Sequence, residues 1–293
     1  MSAWPSGHVA GAEDSAIGRC SVKVVPQERH RNSYVGMLHR VCGGDPWCAS
    51  GVSAVVSPVT AQQMRDVDRL MVDEAGISLV QMMENAGRAL ATVARSHLDG
   101  SVHRRHVALL AGPGGNGGGG LVAARRLTCW GATVTAWTSR HPDELTGVPR
   151  HQAAAAEASG VHLRSGPPGA ADFDGMDVVL DAVIGYSLRG APSGVARELV
   201  RAALAARDRG LPVVSLDVPS GLDPDTGRAP GTAVRASHTV TLARPKPGLL
   251  DPAAADHVGA LSLADISVPG WVYARLGLDP SSPFGASDIV RLR

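Results

Sequence analysis

Bare backbone and oxygen-bearing side chains follow apolar runs at three places in this sequence. "LLAGPGGNGGGGLVAARRL", residues 109–127, puts seven glycines into the nine positions 112–120 and then turns into a helical pattern. "DVVLDAVIGYSLRGAPSG" follows its apolar run with Asp181 and with glycines at 185, 190 and 194, and "PVVSLDVPSG" carries Asp217 and Ser220. Backbone N–H groups at the start of a helix, unobstructed by side chains and aligned with the helix dipole, form a cradle for phosphate. So many glycines lose backbone entropy on folding, and something must require them. Gly112-x-Gly114-x-x-Gly117 satisfies the dinucleotide fingerprint, but where an acidic residue is expected about twenty positions on the sequence reads "TSRHP", with Ser139 and Arg140. No Gly-Lys-[Ser/Thr] triplet occurs, which removes the nucleoside-triphosphate P-loop. A single Asp after an apolar run is equally well explained as a helix cap. Two such runs beside a glycine loop point to a shared site.

The elements that must hold these residues are legible from hydrophobic patterning. Strand-like runs at 106–112, 133–138, 177–185, 212–221, 238–243 and 260–266 are rich in Val, Leu and Ile, as strands covered on both faces are. Helical patterns at 119–131, 148–159 and 194–209 lie between them, so the layout is βαβ and the sheet mainly parallel. Two helices come first. Ser57 or Thr60 caps one carrying Met64, Val67, Leu70 and Met71, and the next places Leu79, Met82, Met83, Ala86, Leu90 and Val93 on one stripe. In such sheets ligands bind outside the carboxyl ends of the strands, where the strand order switches. Residues 1–57 show no sustained period and are expected to be a poorly ordered tail, with one domain over 58–293.

The bulk numbers exclude several classes. With 44% hydrophobic and 19% charged residues the chain has the makings of a sizeable core. A formal net charge of +1 with only two lysines, Lys23 and Lys246, gives no electrostatic footprint for nucleic acid. No apolar stretch approaches the roughly 18 residues of a membrane span, and no basic segment followed by an apolar run opens the chain. Cysteines at 20, 42, 48 and 129 fit no zinc or redox spacing, and Cys42 and Cys48 with His30 and His39 lack a ligand pattern; the expectation is a reduced, cytoplasmic protein.

"MMENAG", "AGPGGNGGGGLVAARRL", "DVVLDAVIGYSLRG", "VVSLDVPSGLDPDTG" and "HTVTLARPKPGLL" occur in an order that resembles the YjeF N-terminal family of NAD(P)H-hydrate epimerases, over roughly residues 60–270. The resemblance implies a three-layer α/β/α sandwich with a Rossmann-like, mainly parallel sheet, and a homodimer. It implies a potassium ion held by Asn116, Asp181 and Ser220, whose oxygens are the hard donors an alkali cation prefers. The substrate implied is hydrated NADH or NADPH, lying along Gly115, Asn116, Gly117, Gly118 and Gly119, along Gly185, Tyr186, Ser187, Leu188, Arg189, Gly190 and Ala191, and against Asp217. The reaction implied interconverts the R and S hydrates, and Asp217 is the candidate acid and base, a carboxyl at a strand end whose pKa burial can raise.

The chain departs from that family's usual GPGNNGGDG loop at two positions: Gly115 stands for an Asn and Gly119 for the Asp. The lost polar contacts are worth about 0.5–1.5 kcal/mol each, up to about 3 if charged, enough to weaken binding without abolishing it. The ATP- or ADP-dependent dehydratase often fused to this domain is expected as a separate partner. "RPKPGLL", with Lys246 between prolines, reads equally as the family's closing motif or as a turn flanking the last strands. Two other readings stay open, a noncatalytic nucleotide- or RNA-binding module of the same fold and an NAD(P)-dependent oxidoreductase, since fold alone does not fix activity.

Overall fold

A computed structural model describes residues 56–293. The expected tail over residues 1–57 lies outside them except for its last two residues, as do Cys42, Cys48, His30 and His39. Thr60 starts helix α1 (Ala61–Asp73) with a capping box in which its hydroxyl accepts from the Gln63 N–H and the Gln63 side chain accepts from the Thr60 N–H. Ser78 and Gln81 repeat the device at α2 (Leu79–Ser96). Both helices bury the stripe the spacing predicts, except that Leu79 is exposed.

Strands β1 (His106–Ala111), β2 (Thr133–Thr138), β3 (His162–Ser165), β4 (Val178–Ala182), β5 (Val213–Leu216), β6 (His238–Leu242), β7 (Ala260–Ala264) and β8 (Ile289–Arg291) form one sheet. Their spatial order is β3-β2-β1-β4-β5-β6-β7-β8, parallel throughout except that β8 runs against β7. Helices α3 (Gly115–Cys129), α4 (Gly147–Ala158) and α5 (Gly194–Asp208) supply the β1–β2, β2–β3 and β4–β5 crossovers, and the β3–β4 connection carries a single 3-10 turn at Ala170–Phe173. Short helices α6 (Pro247–Leu250), α7 (Ala255–Val258) and α8 (Gly270–Arg275) fill the C-terminal third.

Side chains alternate across the sheet, which makes three layers. Val107, Leu109 and Ala111 of β1 pack with α1, α2 and α3, whereas Ala108 and Leu110 pack with Leu199, Ala203 and Ala206 of α5 on the opposite face. The mainly parallel α/β/α reading is borne out. β3 and β8 were not expected from patterning: β3 is an exposed edge strand reading His-Leu-Arg-Ser, and β8 is three residues long. Among the described residues no helix is long and apolar enough to cross a membrane.

The order 3-2-1-4-5-6 carries the chain outward from β1 and returns it on the other side at β4. The carboxyl ends of β1 and β4 therefore flank the switch point, where a doubly wound sheet leaves a crevice. The glycine run and the segment after Asp181 both start there.

Candidate active site

Helix α3 begins at Gly115 rather than near 119, so most of the glycines lie inside the helix. Its first turns lie so deep that side chains do not fit. A Cβ at Gly117 would stand 1.9 Å from the Gly112 carbonyl oxygen, one at Gly118 2.6 Å from the Met83 sulfur, and one at Gly120 2.6 Å from the Ala182 Cβ. From α2, a Cβ at Gly87 would meet the Gly119 carbonyl oxygen at 2.5 Å. Gly117, Gly118 and Gly119 are stripped bare for the protein's own core; only Gly114 and Gly115 leave open space in front of the helix. The amino end still points its free N–H groups into the crevice.

Beside that end lies a cavity of about 520 Å³, a size suited to a small-molecule site. Met64, Met82, Met83, Leu216, Leu242 and Ile266 make its apolar wall, while Asp68, Asn116, Tyr186, Asp217 and Lys246 supply the polar groups. Gly115, Gly185 and Ser187 also line it. Leu188, Arg189, Gly190 and Ala191 continue along the same loop beyond the lining, and Arg189, Gly190 and Ala191 are exposed. Asn116 and Gly185 meet across the switch point: a Cβ on Gly185 would stand 3.2 Å from Asn116 Oδ1 and 3.0 Å from Asp217 Oδ2. The Asn116 side-chain nitrogen is buried with no hydrogen-bond partner among the described residues, an orphaned donor that a bound polar group would satisfy.

Asp217 sits in a tight turn. Its φ is +66°, and the Val218 N–H reaches back 2.9 Å to the Leu216 carbonyl. A non-glycine residue in the left-handed region is uncommon and clusters at functional sites. β6 ends the same way, with Ala243 at φ +62° and the Arg244 N–H on the Leu242 carbonyl. These paired turns bring Asp217 to Lys246, whose Nζ donates to Asp217 Oδ1 at 2.5 Å, to the Leu242 carbonyl at 3.1 Å and to Thr241 Oγ1 at 3.3 Å. The lysine is fully buried. The other carboxylate oxygen, Oδ2, accepts the Tyr186 backbone N–H at 3.0 Å.

Asp181 and Ser220 lie behind this group. Ser220 Oγ donates to Asp181 Oδ1 at 2.6 Å and accepts the Ile184 N–H at 2.8 Å; Ser215 Oγ and the Ser220 N–H donate to Asp181 Oδ2 at 2.7 and 2.9 Å. Burial pushes the Asp181 carboxyl above its ordinary range, against the pull of these neutral donors. A wholly buried carboxylate with only neutral donors, next to a serine oxygen and the segment that abuts Asn116, has the oxygen chemistry that suits a hard monovalent cation.

The sequence carries no sign of Asp68 in the cavity, and it offers Lys246 only as part of a closing motif or a turn. Asp68 is one of several acidic residues on α1, and nothing in "MRDVDRLM" separates it from a solvated face. The pairing of Lys246 depends on turns that carry no glycine signal. Tyr186, expected among the residues along which the substrate lies, also donates its hydroxyl to Asp68, which couples α1 to the loop after β4.

Comparison with known proteins follows the same outline. Residues 79–248 match the family described as YjeF-related protein N-terminus. The chain belongs to this family. Among its relatives, an NAD(P)H-hydrate epimerase of Dehalogenimonas lykanthroporepellens is 46% identical over 238 residues, 81% of this chain and 93% of that protein. One of Truepera radiovictrix with the same name is 36% identical over 76% of this chain and 95% of its own length. A bifunctional NAD(P)H-hydrate repair enzyme of Moorella thermoacetica is 35% identical over 72% of this chain, a match that spans 40% of that longer protein. The crystal structure of the yeast protein YNL200c superposes with a TM-score of 0.69 at 24% identity, covering 81% of this chain and all of that one, and shares the fold.

Proposed function

We propose that this protein is an NAD(P)H-hydrate epimerase, interconverting the R and S forms of hydrated NADH or NADPH. The observation that carries the reading is the meeting of the α3 amino end, Asn116, Gly185 and a strained Asp217 at one cavity across the switch point. The names of two relatives that this chain covers over 93% and 95% of their length support the same activity. In this reading the free N–H groups at Gly115 and Asn116 hold the diphosphate, and the apolar wall holds the modified ring. Asn116, Asp181 and Ser220 would hold a potassium ion, which when bound supplies positive charge that fixes the loop and the diphosphate beside it. Asp217 relays the proton as the hydroxyl leaves the ring carbon next to nitrogen, helped by the nitrogen lone pair, and as water returns. A dehydratase driven by ATP or ADP, acting on the same hydrate, is the proposed pathway partner.

The test is to incubate the purified chain with separated R hydrate and to follow the S form by chromatography. The native chain is expected to speed interconversion well above the spontaneous rate, and Asp217→Asn to lose about 100-fold or more. Oxidation of the nucleotide in place of epimerisation points to an oxidoreductase, and no change at all points to a binding module. Full activity in Asp217→Asn moves the proton relay to another group.

A further inference from the structure

Asp68 is the one carboxylate of the cavity wall for which the reading above finds no use. It comes from α1, outside the segment that matches the family. Tyr186 joins it to Asp217: the tyrosine backbone N–H donates to Asp217, and its hydroxyl, at the far end of the ring, donates to Asp68. The two carboxyl groups are thus held apart by the span of one tyrosine, and they have different partners. Asp217 is paired with the Lys246 ammonium, whose three N–H groups are all committed to Asp217, Thr241 and Leu242, so none is left for Asp68. The hydrogen bond that Asp68 receives comes from a neutral phenol.

We propose that Asp68 is a second proton-handling carboxylate of this site: Asp68, in place of Asp217, protonates the departing hydroxyl, and Asp217 keeps the one task of taking a proton from the incoming water, with Tyr186 as the positioning residue of Asp68. The proposal rests on the epimerase reading. The C–O bond breaks with its electron pair on oxygen, the Asp68 proton completes a water molecule, and the ring nitrogen lone pair forms the C=N bond. Water then adds to the other face, its oxygen forms the new C–O bond, and its proton passes to Asp217. The nitrogen recovers its pair, and the two carboxyl groups have exchanged protonation states, which is the starting state for the reverse reaction. Two separated carboxyl groups, one acid and one base, invert sugar carbons in the same way, where a ring oxygen plays the part of this nitrogen.

The environments agree with that division. Burial pushes the Asp68 carboxyl above its ordinary range, opposed by the Tyr186 hydrogen bond and the Lys246 charge. A pair whose surroundings differ in this way sorts into acid and base. The charged or titratable groups around Asp68 are Tyr186, Asp217, Lys246 and Tyr273 on α8, and Arg65, on the same helix as Asp68, acts on the Tyr186 hydroxyl.

The experiment measures R-to-S turnover against pH for the native chain, Asp68→Asn and Tyr186→Phe. An acid works only while protonated, so the native rate falls at alkaline pH as Asp68 ionises. Asp68→Asn is expected to lower kcat about 100-fold and to lack that alkaline limb. Tyr186→Phe removes a hydrogen bond that lowers the Asp68 pKa, so its limb moves to higher pH. Asp68→Asn at the native rate, or slowed with the limb unchanged, overturns the proposal while leaving the epimerase reading intact. A native chain with no epimerase activity overturns both. If Asp68→Asn does not fold, Tyr186→Phe decides alone, and an unmoved limb counts against the proposal.

Discussion

Lys246 and Asp217 show what a single buried contact is made to do. A lysine of zero exposure facing a carboxylate at 4% side-chain exposure cannot be justified by stability alone, because desolvating both charges offsets most of their attraction. Here the pair fixes which carboxylate oxygen is occupied, leaving Oδ2 with the Tyr186 N–H and the cavity. Breaking one side of it strands a charge. Lys246→Met is expected to lose about 3–5 kcal/mol in urea denaturation, whereas Lys246→Met combined with Asp217→Asn loses clearly less than the two single changes summed. Additive losses would show that the two groups are not energetically paired.

At the scale of the element, the glycine helix explains why the departures from the family's usual loop are unequal. A Cβ at Gly115 would meet only the Met83 terminal methyl, at 3.6 Å, which is ordinary contact. One at Gly119 would come within 2.9 Å of Leu216 Cδ2, so Leu216 occupies space that a side chain at 119 needs. Gly115→Asn should therefore leave stability within about 0.5 kcal/mol of native. Gly119→Asp should cost about 1–3 kcal/mol through overpacking, with Leu216→Ala relieving part of it. Unfolding midpoints check both, and a freely tolerated Gly119→Asp would mean that α3 can shift on the sheet.

The whole molecule sets the ends of β1, β4, β5, β6 and β7 against one cavity, and it places an uncompensated carboxylate, Asp181, beneath them. A cation that binds only the folded chain raises its stability by mass action, about 2.7 kcal/mol at a hundred times its dissociation constant. The thermal midpoint is expected to be higher in potassium chloride than in tetramethylammonium chloride of equal ionic strength, and Ser220→Ala to narrow the gap. Equal midpoints in the two salts would remove potassium from the reading while leaving the cavity and Asp217 in place.

Local rules determined much of this protein. Hydrophobic period found six strands and the major helices, because a strand covered on both faces and a helix covered on one leave different repeats in the chain. The boundary of α3 was misplaced for a physical reason: glycine is a poor helix former in isolation, and only close packing on β1, β4 and α2 makes it the residue that fits. Asp181, Asp217 and Ser220 were visible because each follows an apolar run. Asp68 and the pairing of Lys246 with Asp217 were not, since their meaning lies in contacts made across long stretches of chain, Tyr186 to Asp68 and Lys246 to Asp217. Sequence periodicity records which face of an element is buried. Which charges then meet inside the crevice is decided when strand order and two strained turns bring distant segments together.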